Sequence, residues 1–184
     1  MNSFPFMKVI EGRNCLLVGG GNVALRKAEK LIPFGPVLTV CADSLRKEFL
    51  KLPVKVLRCG YDNSLLNDME FVVAATDDRM VNAQIAKDCR ERGIAVNSVD
   101  DPSNCDFFFP ALICRGDVTI GISTGGASPA LAAVVREYLE SVLPADLSDI
   151  SKECARLREK KKGAEYVSAV RNVFYRSLGK EKER

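Results

Sequence analysis

A chain of 184 residues with 47% hydrophobic and 28% charged residues has the balance of a globular protein, with room for one full domain of roughly 100–150 residues and a smaller second part. The net charge of +3 is too small to indicate nucleic acid. No signal peptide and no stretch near the roughly 18 apolar residues of a membrane span is present, so a cytoplasmic protein is expected.

Histidine is absent, which removes the commonest metal ligand and the commonest base at neutral pH. Acid–base chemistry must then fall to carboxylates, Lys, Tyr or Cys. The seven cysteines contain no CxxC pair, which argues against a zinc site or a disulfide framework, and they are expected to be reduced and mostly buried.

In chain order, residues 14–18 form a short apolar run that meets Gly19, Gly20 and Gly21, and residues 23–32 follow as a helix. Residues 37–41 make a second strand, 45–50 a helix, 54–57 a third strand and 62–66 a short helix or turn. Residues 71–75 are uniformly apolar, as in a strand covered on both faces. A helix then runs to about Arg92, capped by Asp77 or Asp78 and stopped at Gly93. Residues 94–99 are the next strand. This alternation predicts an α/β fold with a doubly wound parallel sheet.

After Pro110 the pattern changes. Residues 111–114 and 118–122 read as two strands joined at Arg115, Gly116 and Asp117, a hairpin signal. The turn Ser123 to Ser128 leads through Pro129 into a helix over 130–143. Beyond Pro144 the chain is helical and charged. Val167, Val170, Val173, Phe174 and Leu178 form a packing stripe, and Arg156, Arg158, Lys160, Lys161 and Lys162 a solvated face.

Four segments could carry chemistry. Gly19 to Ala24 fits G-x-G-x-x-[GA] between a strand and a helix, the arrangement that seats a pyrophosphate on free N–H groups at a helix N-terminus. Gly19 and Gly21 are its candidate cofactor residues, against a purely structural turn. Asp43 follows the second strand and is either the carboxylate that holds a ribose or the N-cap of the next helix. A carboxylate there favours NAD over NADP, while Arg46 and Lys47 leave the choice open. Ala74, Ala75 and Thr76 end a parallel strand, where small residues can lie against a dinucleotide; Asp77 beside them reads better as a helix cap.

Asp100 and Asp101 end the next strand on the same rim. Adjacent carboxylates repel, and partial desolvation of one would make it a proton acceptor, although such a pair also suits a turn. The hydroxyls and N–H groups of residues 123–128 could hold a carboxylate or phosphate, with Arg115 able to pair with the same anion.

Taken in order, CLLVGGGNVALRKAEKL, VVAATDD and VNSVDDPSNCDFFFPALICRGDVTIGISTGGASPALA resemble the precorrin-2 dehydrogenase and sirohydrochlorin ferrochelatase family, which includes the N-terminal part of sirohaem synthase. The resemblance covers about residues 4–144. It implies an NAD-binding Rossmann domain (1–112), an α+β dimerisation region (113–145) where two chains exchange elements in a homodimer, and a helical C-terminal domain (146–184). The family's cofactor contacts fall on Asn22, Val23, Asp43 and Ser44, and its essential aspartate on Asp100. Thr124 takes the place of a serine that faces the tetrapyrrole pocket in some relatives and can be phosphorylated.

The implied reaction is NAD-dependent oxidation of precorrin-2 to sirohydrochlorin, with Asp100 accepting a proton or orienting the macrocycle. Arg115, Thr124, Ser128 and Arg136 would meet the substrate's carboxylates. Insertion of Fe2+ or Co2+ is a second activity in the family, with the metal held by ring nitrogens and no protein metal site. No methyltransferase segment follows, so methylation of uroporphyrinogen is expected from a separate enzyme. The rival reading is a dinucleotide sensor that binds NAD without turnover.

Overall fold

A computed structural model describes residues 4–99 and 101–179. Asp100, the expected catalytic residue, lies outside the described residues. The chain divides into two compact units, one over residues 5–108 and the other comprising residues 1–4 and 109–184.

The first unit is a five-stranded parallel sheet in the order β3-β2-β1-β4-β5. Its strands are β1 Asn14–Val18, β2 Val37–Cys41, β3 Lys55–Leu57, β4 Phe71–Ala74 and β5 Ala95–Ser98. Helix α1 Asn22–Leu31 follows β1, and α2 Arg79–Glu91 follows β4. The uniformly apolar run of β4 is buried throughout, as a strand covered on both faces must be.

In-register parallel pairing sorts the side chains onto two faces. Leu16, Val18, Cys41, Val72, Ala74 and Val96 pack with Ile85, Ala86 and Cys89 of α2 and with Leu66. On the other face Leu17 aligns with Val40 and Val73, and Val73 with Asn97. Helix α1 covers that face: Ala24, Ala28 and Leu31 are buried, and Lys27 Nζ donates to Asn97 Oδ1 at 3.3 Å. The small Ala24 and Ala28 let the helix approach the sheet closely. Burial of a charged group requires partners, and Asp88 of α2 has them: its carboxylate accepts from Tyr61 Oη at 2.9 Å and Gln84 Nε2 at 2.7 Å. Desolvation, reinforced by that bond to Asp88, pushes the Tyr61 phenol well above its usual range.

Two local expectations change and one open choice is settled. The helix expected over 45–50 is a single 3-10 turn, Lys47–Lys51, in which only Phe49 is buried. One apolar anchor is too little to hold an amphipathic α-helix against a sheet. The helix α2 is capped by Asp78, whose Oδ1 accepts from Met80 N at 2.8 Å and Val81 N at 3.3 Å, so Asp77 is not its cap. Finally, all seven cysteines are free as expected, but only Cys15, Cys41 and Cys89 are buried; Cys59 and Cys114 are exposed. The buried three sit in the five-stranded sheet or in α2, whereas Cys59 follows the short edge strand β3 and Cys114 lies outside that sheet.

The second unit opens with the antiparallel hairpin β6 Ala111–Arg115 and β7 Val118–Ile122, closed by a two-residue turn in which Gly116 has φ +59°. A side chain on Gly116 would overlap Ser148, so the hairpin tip lies against α4 Leu147–Lys160. Helices α3 Pro129–Val142 and α5 Gly163–Ser177 complete the unit. Leu147, Ile150 and Val173 form one core cluster, with Val118, Cys154, Leu157 and Phe174 packed around them, and Ile113 and Ala132 are buried as well. The apolar stripe of α5 is only partly used: Val173 is buried while Val167 is exposed. Among the described residues no helix is long and apolar enough to cross a membrane.

Leu16 is fully buried in the central strand. Leu16→Ala should lower unfolding free energy in urea by about 2–5 kcal/mol, and a loss below about 1 kcal/mol would contradict this core assignment.

Candidate functional site

The strand order places β1 and β4 side by side with their connections leaving in opposite directions, and the crevice of such a sheet opens at the carboxyl ends of these strands. The glycine turn after β1 lies there. Gly19 has φ +127°, which side chains rarely adopt. A Cβ on it would overlap the Ala75 carbonyl, and one on Gly20 would overlap the Ser44 carbonyl and crowd Leu45. The turn is thus wedged between the loops after β4 and β2. Hydrogen bonds from Gly19 N to Cys41 O at 2.9 Å and from Arg46 N to Gly20 O at 3.0 Å hold it in place.

Gly21 differs. A Cβ there would meet nothing within 4 Å, and as N-cap of α1 it supplies no side-chain hydrogen bond. The first N–H groups of a helix have no intrahelical acceptor, so the turn presents donors and the positive end of the helix to open space. Asn22 and Val23 are exposed beside it. These residues fit a pyrophosphate: among the described residues none stands within 4 Å of a Gly21 Cβ, and no acidic side chain occupies the first turn.

Asp43 and Ser44 follow β2 and are exposed. Asp43 caps no helix, since the next turn starts at Lys47 with Arg46 as N-cap. Its carboxylate faces Gly60, where an added Cβ would stand 3.8 Å from Oδ2. Arg46 reaches back to the cradle: Nη1 donates to Asn22 Oδ1 at 2.6 Å while Nη2 pairs with Glu48 at 2.5 Å. The guanidinium is thereby fixed beside the first residue of α1, with its charge opposed by a carboxylate.

After β4, Thr76 is held by Asn82, a residue the sequence reading passed over. Asn82 Oδ1 accepts from Thr76 N at 3.1 Å, and Asn82 Nδ2 donates to Thr76 O at 3.0 Å. Asn82 is buried; a polar residue one helical turn before Ile85 and Ala86, on the packing face, was the available signal. Asp77 is exposed next to this locked residue.

The loop after β5 is tied back to its own strand. Asp106 Oδ2 accepts from Val96 N at 2.9 Å, and Asp106 N donates to Val96 O at 2.8 Å. Cys105 Sγ accepts from Ser98 N at 3.2 Å and donates to Ser98 O at 3.1 Å; burial pushes this thiol up. Asp101 accepts from Ser103 Oγ and Asn104 Nδ2, both at 2.6 Å. These bonds hold its carboxyl below the usual aspartate range. Asp101 is therefore an ionised loop organiser and a poor proton acceptor at neutral pH.

In the second unit the Ser123 to Ser128 turn is closed on itself. Thr124 Oγ1 accepts from Ser128 N and donates to Ser128 O, each at 3.0 Å. Ser128 Oγ caps α3 by accepting from Leu131 N at 3.1 Å. Both hydroxyls carry structural bonds, and a Cβ on Gly126 would face open space. Arg115 does not join them. It pairs with Val118 at the hairpin tip, while Ala111 pairs with Ile122 at the far end, so the turn emerges roughly 14 Å away at about 3.4 Å per residue. Arg115 and Thr124 thus lie beyond opposite ends of the hairpin. Arg115 Nη2 instead approaches Glu140 O at 3.5 Å, and Arg136 pairs with Glu140 at 2.6 Å.

The family model described as "Putative NAD(P)-binding" matches residues 6–111, and that described as "Sirohaem biosynthesis protein central" matches residues 115–141. The chain is 39% identical over 162 residues to sirohaem synthase of Psychrobacter cryohalolentis, covering 86% of this chain and 31% of that protein. It is 38% identical over 179 residues to sirohaem synthase of Methylococcus capsulatus, covering 95% and 38%. The chain spans about a third of the length of these curated relatives. A solved structure titled "SirC, precorrin-2 dehydrogenase" is similar with a TM-score of 0.75 and 25% identity, over 96% of this chain and 92% of that one.

The two kinds of glycine should separate experimentally. Gly20→Ala, which drives a methyl into backbone, should destabilise the fold by about 1–3 kcal/mol. Gly21→Ala should leave the melting temperature nearly unchanged and weaken dinucleotide binding measured by calorimetry. Equal effects on stability would contradict the wedge described above.

Proposed function

The chain belongs to the NAD(P)-binding family and carries the central module of sirohaem biosynthesis proteins, and on that premise we propose that it oxidises precorrin-2 to sirohydrochlorin with NAD+. The observation that carries this reading is the glycine turn wedged between the loops after β2 and β4, with the N-terminus of α1 left open above it. When bound, NAD+ supplies the hydride acceptor. Gly19, Gly21, Asn22 and Val23 bind its pyrophosphate, and Thr76, locked by Asn82, lines the cleft. Asp43 and Ser44 hold the ribose. The carboxylate of Asp43 repels a 2′-phosphate, which favours NAD over NADP.

Oxidation of precorrin-2 removes a hydride and a proton. Asp100 takes the proton, as the residue aligned with the family's essential aspartate. The neighbouring Asp101 is committed to Ser103 and Asn104, which leaves it unsuited to that step. Arg115, Thr124 and Ser128 are assigned to the carboxylates of the tetrapyrrole, with Arg115 acting apart from the other two. Insertion of Fe2+ or Co2+ into sirohydrochlorin belongs to the same proposal, with the metal as substrate and Asp100 drawing off pyrrole protons. The setting is the cytoplasm.

Residues 113–145 are assigned to homodimer formation, with 146–184 as a helical appendage. Support comes from α3, where Leu131, Val134, Tyr138 and Val142 are all exposed. Spaced by three and four residues, they form one apolar stripe, which a partner's surface would cover. Val134→Glu should convert a dimer to a monomer in sedimentation, whereas a wild-type monomer would reject the assignment.

The decisive assay is anaerobic, with precorrin-2 and NAD+, following NADH and the sirohydrochlorin spectrum together. Asp100→Asn should lower turnover by about 10²- to 10⁴-fold while binding NAD+ like the parent protein. Full turnover in the variant would remove Asp100 from the mechanism, and NAD+ binding without turnover in the parent would make the chain a sensor. Sirohydrochlorin with Fe2+ and no NAD+ tests the chelatase step separately.

A further inference from the structure

Two cysteines far apart in sequence meet at the ribose end of the cleft. Cys41 is the last residue of β2, fully buried, and Cys59 lies exposed just beyond β3. Their sulfurs are 3.7 Å apart. Cys41 Sγ also faces the Cys59 carbonyl at 3.2 Å and the Gly60 carbonyl at 3.5 Å. The next residue but one after Cys41 is Asp43, and its carboxylate faces Gly60. One short segment therefore touches the buried thiol and runs beside the carboxylate assigned to the ribose.

We propose that Cys41 and Cys59 are an oxidation-sensitive dithiol that hydrogen peroxide closes to a disulfide, and that closure weakens dinucleotide binding by disturbing Asp43. The effect on binding rests on the assignment of Asp43 to the ribose; the disulfide does not.

The chemistry divides the roles by exposure. The thiolate of Cys59, reachable from solvent, attacks a peroxide oxygen, breaks the O–O bond and becomes a sulfenic acid, with one water released. Cys41 sulfur then attacks the Cys59 sulfur and displaces hydroxide, which leaves as a second water with the Cys41 proton. Two thiols lose two electrons and two protons in all, and the peroxide is reduced to two waters. Cys41, fully buried, cannot meet the peroxide first and serves only in the second step. Burial, then Cys59 and Asp43, push its thiol up to about 12, so its proton has to pass to the departing hydroxide as the sulfur attacks.

Closure requires the sulfurs to move from 3.7 Å to about 2 Å. Cys41 is anchored between β1 and β3, and its carbonyl accepts from Gly19 N at 2.9 Å. The Cys59 segment must therefore do most of the moving, which draws Gly60 along with it and changes the contact with Asp43. The thiol's contacts to the Cys59 and Gly60 carbonyls are lost in the same step.

Reduced protein, one equivalent of hydrogen peroxide, peptide mapping and NAD+ calorimetry test this. A Cys41–Cys59 disulfide should form, NAD+ binding should weaken about tenfold, the worth of one hydrogen-bonded carboxylate, and a phosphine reductant should restore it. Cys59→Ser should bind NAD+ like the parent and show no response to peroxide. Absence of that disulfide, or its formation with unchanged affinity, would overturn the proposal. Failure of the reduced parent to bind NAD+ would overturn the cofactor reading instead, and the disulfide map alone would then decide the dithiol.

Discussion

The approach of one backbone segment to two others organises this molecule. Gly19 and Gly20 run so close to the carbonyls of Ala75 and Ser44 that neither can carry a side chain. Three connections that leave β1, β2 and β4 are thereby locked at one edge of the sheet. Such contacts between backbones are rigid because no rotamer can relax them. The turn is pinned from below and from the sides, and among the described residues nothing stands within 4 Å of where a Gly21 side chain would be.

Around that turn, polar side chains act as fasteners. Asn82 fixes Thr76, Arg46 bridges Asn22 to Glu48, and Asp106 and Cys105 secure the loop after β5. Each satisfies a backbone or side-chain group that would otherwise compete for a ligand or cost free energy on burial. The site thus holds its shape before anything binds, and groups with no such duty, including the exposed Asp43 carboxylate, remain available for recognition. Asp101 shows the opposite case, a carboxylate consumed by its own loop.

The second unit is built on different principles. Its hairpin is closed by a tight turn, α4 and α5 share a small core around Leu147, Ile150 and Val173, and much apolar surface on α3 stays in solvent. A unit with so few buried residues and an uncovered stripe is suited to association. The Thr124 turn spends its hydroxyls on its own closure, so anion binding there would fall to backbone N–H groups or require the turn to open.

Most of the architecture was legible in the chain because it depends on local rules. Apolar runs ended by glycine or aspartate mark the strands, a helical period marks α2 and α3, and Gly116 with Asp117 marks the hairpin. The glycine pattern announced the cradle, and the order of the motifs announced the family. The failures share a cause in distance along the chain. Whether residues 45–50 form a helix depends on how many side chains the sheet can bury. The separation of Arg115 from Thr124 follows from strand register.

Sequence alone determined the α/β class and the position of the glycine turn between β1 and α1, and it offered Asp43 as either a ribose carboxylate or a helix cap, since each is written in neighbouring residues whose backbone preferences are strong. Tertiary structure alone decided that Asp43 is released from capping, that Asp101 is occupied and that Cys41 meets Cys59. Those outcomes turn on contacts between segments far apart in the chain, which parallel strand pairing brings together and no local propensity encodes.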